Sequence, residues 1–200
     1  MIYYRKGNRR EFLKAGFFGF LGLVLGKDQL IHAEAACCEP MIYKRFLRFT
    51  EYEERKVTEV LVIHHTGIPG VDKDFTAADI HKYHQEVNGW AGIGSHYLIR
   101  KNGMIEQGRR PNAVGAHAYE HNKTSIGICL AGNFNLGKPT AAQMDSVKEL
   151  CAWLCRKYEL NPTRKGVIVG HQDLNDDADC PGMHLYKRLP EIRQFCEDNR

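Results

Sequence analysis

Apolar residues cluster along residues 57–63, where Val57, Val60, Val62 and Ile63 are β-branched, and the run ends at His64-His65-Thr66-Gly67. This pattern predicts a strand running into a Pro-Gly turn at 69–70. Thr76 can cap a helix that carries Ile80, Tyr83, His84 and Val87 at helical spacing, stopped by Asn88-Gly89. Residues 96–100 and 104–107 flank Lys101-Asn102-Gly103, and Asn-Gly between two strands is a strong hairpin signal. Residues 125–131 form another apolar run. Thr140 and Gln143 make a capping box for a helix that would bury Met144, Val147, Cys151, Leu154 and Tyr158. A short buried strand is predicted over 166–170, leading into His171. A closing helix is predicted over 184–197, with Pro190 marking its start or a kink.

Strands alternating with helices, plus one hairpin, predict an α/β domain with a mixed central β-sheet covered by about three helices. The 200 residues suffice for one such domain. Its expected span is 57–200, preceded over 36–56 by a charged, aromatic-rich lead-in that packs on it. No internal repeat or low-complexity tract interrupts the pattern.

The first 35 residues follow a different logic. Arg5, Lys6, Arg9, Arg10 and Lys14 precede an apolar run over 15–26, and Ala33-Glu34-Ala35 offers small residues around a cleavable bond. That is the layout of a cleaved export signal. The run is well short of the ~20 residues of a membrane-spanning helix. Asn8-Arg9-Arg10-Glu11-Phe12-Leu13-Lys14 resembles the twin-arginine export motif, which implies a periplasmic or extracellular destination for a protein exported already folded. A lipid anchor on Cys37 is the alternative, with Glu34 where such a site usually wants an aliphatic residue.

Charge then changes the picture. The whole chain carries +4, and residues 1–35 hold six Lys or Arg against three Asp or Glu, so about +1 remains after cleavage. A near-neutral domain gives no electrostatic case for nucleic-acid binding. The seven cysteines are an odd number for an oxidising compartment. Cys151 and Cys155 share one helix face, a poor disulfide geometry, and read as core residues. Pairing among Cys37, Cys38 and Cys196 would join the termini.

Two apolar strands end directly in histidine, at His64-His65 and at His171, and Cys180 follows in Asp179-Cys180-Pro181-Gly182. Strand ends of α/β sheets are where loops converge on ligands. Two imidazoles and one thiolate are good zinc ligands that leave a fourth position for water. With ten histidines in the chain, spacing alone leaves open whether these are ligands or hydrogen-bonded structural residues.

The stretch from Val60 to Gly182 resembles the type-2 N-acetylmuramoyl-L-alanine amidases, a group that includes phage lysozyme-like amidases and animal peptidoglycan recognition proteins. The matching segments are Val62-Ile63-His64-His65-Thr66, Ile93-Gly94-Ser95-His96-Tyr97, Lys101-Asn102-Gly103, Val114-Gly115-Ala116-His117-Ala118, Gly170-His171 and Cys180-Pro181-Gly182, in family order. The resemblance implies a peptidoglycan-recognition-protein-like fold and one zinc ion per chain on His64, His171 and Cys180. It implies peptidoglycan or muropeptide as substrate, with His117 lining the groove. His65 is then a neighbour, structural or groove-lining, and Trp90 can offer an apolar face to sugar or peptide or serve the core. The implied reaction is hydrolysis of the amide between the muramic acid lactyl group and L-alanine.

The departures lie around the metal. Many relatives carry tyrosine at the position of Ser95, and another branch carries glutamate at that of Cys129. His96, or one of Asp176, Asp177 and Asp179, could act as general base, with a solvated acidic turn as the plainer reading of the aspartates. Two other functions fit the same scaffold: a peptidoglycan-binding module without catalysis, and a zinc hydrolase acting on another amide. Oligomeric state is not legible.

Overall fold

The computed structural model describes residues 38–68, 72–176 and 178–200. The expected export signal, Cys37, the turn at 69–70 and Asp177 lie outside the described residues. Six strands form one mixed sheet: β1 (Ile42–Lys44), β2 (Val60–His65), β3 (Tyr97–Ile99), β4 (Ile105–Gln107), β5 (Ser125–Leu130) and β6 (Ile168–Gly170), in the order β1-β4-β3-β5-β2-β6. Only β3 and β4, the predicted hairpin, pair antiparallel. Gly103 takes a φ of +87° at the hairpin tip, where a side chain would be strained and would meet Ser146.

The interior strands β2 and β5 are buried on both faces, which is why they read as continuous apolar runs. Alternation sorts their side chains. Leu61, Ile63, Tyr97, Ile99, Ile126, Ile128 and Leu130 join the main core with α2 (Ala141–Lys157) and α4 (Leu189–Asp198). Leu98 and Cys129 point to the opposite face, covered by α1 (Ala77–Glu86). His64 is the Cα partner of Cys129, so it shares that second face. Both long helices begin at the expected caps: Thr140 forms its predicted box with Gln143, and Thr76, expected as a simple cap, also forms a box with Asp79.

Three predictions change in detail. The buried face of α1 is Ala77 and His81, while Tyr83 and Val87 stand 50% and 64% exposed. His81 can be buried because Nδ1 accepts from Ile93 N–H at 3.3 Å and Nε2 contacts Arg48 O at 3.2 Å. The closing helix is two pieces, α3 (Met183–Tyr186) and α4, with Pro190 in the first turn of α4, where its missing N–H costs nothing. The lead-in contributes an edge strand, β1, parallel to β4, and a bridge from Glu54 to Ala113.

Cys196 is buried in the main core with Cys151 and Cys155, whereas Cys38 is exposed. Of the pairings left open among Cys37, Cys38 and Cys196, that between Cys38 and Cys196 is not formed. Apolar packing of α4 on α2 decides where the Cys196 thiol points. No helix among the described residues is long and apolar enough to cross a membrane.

Candidate metal centre and groove

Three elements deliver the candidate ligands. His64 stands near the end of β2, and His171 opens a 3-10 turn directly after β6. Cys180 lies in the loop that follows, which is pinned at several points. Gln172 N–H donates to Cys180 O at 2.8 Å and Gly182 N–H to Asp179 O at 2.8 Å. Asn135 donates to Asp179 Oδ2 at 2.9 Å and accepts from Met183 N–H at 2.9 Å. Gly182 has a φ of +84° and no room for a side chain, because a Cβ would lie 2.6 Å from the Phe134 backbone.

One ligand atom each from His64, His171 and Cys180 lies within 4.8 Å of the others. Cys180 Sγ is 3.5 Å from His64 Nδ1. Tetrahedral zinc with bonds of about 2.0–2.3 Å needs donors roughly 3.3–3.7 Å apart, so small closing movements satisfy it. The outward-facing nitrogens are also engaged. His64 Nε2 is 3.0 Å from His117 Nδ1, and His171 Nε2 is 3.0 Å from Asn175 Oδ1. Such contacts fix which nitrogen faces a metal. His65 N–H points at Cys180 Sγ from 3.4 Å.

Burial sets the electrostatics. It holds His64 and His117 well below the ordinary imidazole range, and neighbouring histidines push the same way. Neutral imidazole is the form that ligates. Burial pushes the Cys180 thiol up to about 12, against the help of His65 N–H. A cation at the centre of the three donors would favour the thiolate. The donor set thus fits a borderline-soft divalent ion.

Beside His64 opens a cavity of about 180 Å³. Its walls include His117, Cys129, Ser95, Tyr83 and Trp90, and among the described residues no carboxylate lines it. His117 is held from behind by Asn122, whose Oδ1 accepts from His117 N–H at 2.8 Å. Trp90 is 43% exposed and packs edge-on against His84, with centroids 4.7 Å apart. His65 also lines the cavity, but its Nδ1 is taken by Phe134 N–H at 3.1 Å.

His96 is placed elsewhere. It is fully buried, its Nδ1 accepts from Gly127 N–H at 3.0 Å, and its Nε2 lies 2.9 Å from Ala113 O. An accepting Nδ1 makes Nε2 the protonated nitrogen, donating to Ala113. Both nitrogens are therefore committed, and burial lowers the pKa to about 3. The ring supports His117 from beneath, at a centroid distance of 5.5 Å. Asp176 is exposed, and Asp179 is exposed and bonded to Asn135.

Sequence reasoning missed Asn175 and the groove-lining position of Tyr83. Asn175 follows His171 by four residues, a spacing that one turn of helix-like chain closes. That spacing was the available signal.

A family model described as N-acetylmuramoyl-L-alanine amidase matches residues 54–183. The chain is 34% identical over 155 residues to the endolysin of Enterobacteria phage T3, covering 75% of this chain and 97% of that protein. It is 33% identical over 144 residues to peptidoglycan-recognition protein LB of Drosophila melanogaster, covering 70% of this chain and 61% of the fly protein's length. Among solved structures it is similar to the N-acetylmuramoyl-L-alanine amidase LysC from Clostridium intestinale, with a TM-score of 0.69, 34% identity and coverage of 78% and 97%. Drosophila PGRP-LB gives a TM-score of 0.64 at 29% identity, covering 74% and 92%. The matched span holds His64, His171 and Cys180 together with the walls of the cavity beside them, and the chain belongs to the N-acetylmuramoyl-L-alanine amidase family.

Proposed function

We propose that this protein is an exported, zinc-dependent N-acetylmuramoyl-L-alanine amidase acting in the periplasm or outside the cell. It hydrolyses the amide between the muramic acid lactyl group and L-alanine of peptidoglycan. The observation that carries the reading is the convergence of His64, His171 and Cys180 at the end of an otherwise apolar sheet. Those three residues would hold one zinc ion. When bound, zinc supplies Lewis acidity and water with a pKa of about 7.

The chain's own residues do the positioning. His117 and Asn175 orient the two imidazoles, and His65 N–H stabilises the sulfur. Trp90 and Tyr83 wall the groove where the sugar and first peptide residues would lie. Among the described residues His117 is the imidazole whose ring borders the cavity and meets a candidate ligand's ring, which suits it to orient His64 at the groove. His96 is assigned a positioning role beneath it. Asp177, expected as a base alternative, lies outside the described residues, and its neighbours Asp176 and Asp179 are exposed.

The test uses residues 36–200 with and without chelation, incubated with peptidoglycan. Mass spectrometry should find stem peptides with a new L-alanine amine, released only with zinc and not by Cys180→Ala. A second reading, a peptidoglycan-binding module, draws on Ser95 and Cys129, which stand where relatives carry tyrosine or glutamate. Stoichiometric zinc and muropeptide binding with no peptide released would favour it.

A further inference from the structure

The cavity beside His64 does not end at Trp90. Trp90 and Ala116 also line a second hollow, whose other walls include Thr50, Glu51, Tyr52 and Arg109. Those four residues in turn line a third hollow, which reaches Arg45, Phe46, Phe49 and Arg110. Shared walls line the three hollows up as a trench from His64 to the lead-in segment. The far bank is fastened in place: Thr50 N–H donates to Ala91 O at 3.3 Å, Val114 N–H to Glu53 O at 2.8 Å and Arg55 N–H to Asn112 O at 2.7 Å.

The bank residues 45–52 precede the stretch matched by the family model, which starts at 54. The bank's chemistry is specific. Three arginines face one carboxylate, Glu51, at the far end. Arg45 is partly spent on the buried Glu106, 3.3 Å away. The Arg109 guanidinium lies over the Phe49 ring, donates to Ile93 O and Val114 O, and is structural. Arg110 is exposed and stacks 5.8 Å from the Tyr52 ring centroid, and among the described residues no carboxylate lies within ion-pair distance of it. Phe46 is 96% exposed beside it.

We propose that this trench is an extended subsite for peptidoglycan polymer, in which Arg110 and Arg45 receive free carboxylates of a second stem peptide, carried on a neighbouring repeat. The proposal rests on the peptidoglycan reading above and adds to it a preference for polymer over single-repeat fragments. Guanidinium forks match carboxylates in two-point geometry, and Phe46 and Tyr52 offer apolar faces to the peptide. A second contact on the same polymer is intramolecular once the first is made, so even a weak subsite raises apparent affinity for polymer without changing affinity for a fragment.

The test compares wild type with Arg110→Ala and Phe46→Ala, both exposed positions remote from the ligands. Each is assayed on insoluble peptidoglycan and on a purified disaccharide-peptide, with thermal melts to verify folding. The half-saturating concentration of polymer should rise roughly 3- to 10-fold, the scale of about 1 kcal/mol, relative to that of the fragment. Equal effects on both substrates, or none on either, would overturn the subsite. If wild type turns over neither substrate, the amidase reading fails. Co-sedimentation with insoluble peptidoglycan then tests the trench by itself: weaker pelleting of both variants supports it, and unchanged pelleting overturns it.

Discussion

His64 and His117 meet ring to ring, Nε2 of the first 3.0 Å from Nδ1 of the second. With His64 Nδ1 turned toward Cys180, Nε2 carries the proton and His117 accepts it. His117→Ala should therefore weaken zinc binding about 10- to 100-fold. Competition with a chromophoric chelator measures this. Unchanged zinc affinity would confine His117 to substrate contact.

If His64, His171 and Cys180 hold zinc as proposed, its removal should destabilise the fold, because the three residues come from separate elements. With free zinc near 100 times its dissociation constant, binding contributes about 2.7 kcal/mol. For a chain of this size that is a melting shift of roughly 5–10 °C, read by calorimetry before and after chelation. Cys180→Ala should lose the shift. A melting temperature insensitive to chelator would argue against the ligand set.

Glu106 is fully buried, accepts Ala77 N–H at 2.6 Å and faces Arg45 at 3.3 Å and Arg100 at 3.4 Å. It ties the hairpin to the N-terminus of α1, where a negative charge is favoured. Glu106→Gln leaves two arginines facing a neutral group and should cost about 3 kcal/mol, visible in urea titration. A loss below ~1 kcal/mol would show that the cluster is solvent-compensated.

Acid should unfold the protein early. Burial holds His96 at about 3 and His84 at about 4, against an ordinary 6.5. Below pH 6.5 the unfolded chain takes up protons that the folded chain refuses. The stability these residues contribute is thus complete above 6.5 and lost as pH falls toward their folded values. His96 alone should cost about 2–3 kcal/mol by pH 4.5, and the more exposed His84 less. Melting temperature against pH tests this. A flat profile from pH 7 to 4.5 would contradict the buried, neutral assignment.

Gly94 sits under the groove, where an added Cβ would lie 2.0 Å from Ala116 O. The obstacle is backbone, so it cannot swing aside. Gly94→Ala should cost about 1–3 kcal/mol and raise KM as the wall holding Ala116 and His117 shifts. Unaltered kinetics would mean that the wall adapts.

The paired strand-end histidines, the Asn-Gly hairpin and both threonine-capped helices were legible because each depends on neighbours within a few residues, where periodicity and capping act. The order of strands was not. Nor was the exposure of Tyr83, which α1 turns outward because His81 finds partners in Ile93 and Arg48, residues distant in sequence. The edge strand at 42–44 left no apolar signature, since an edge needs only one partner and half its side chains face water. The residue types at 64, 171 and 180 determined which atoms could bind a metal. Only the tertiary structure decided that they meet, that His96 is committed to backbone, and that the lead-in walls a trench. Those outcomes depend on parallel pairing of β2, β5 and β6 and on loops closing over large sequence separations, and no local pattern encodes such distances.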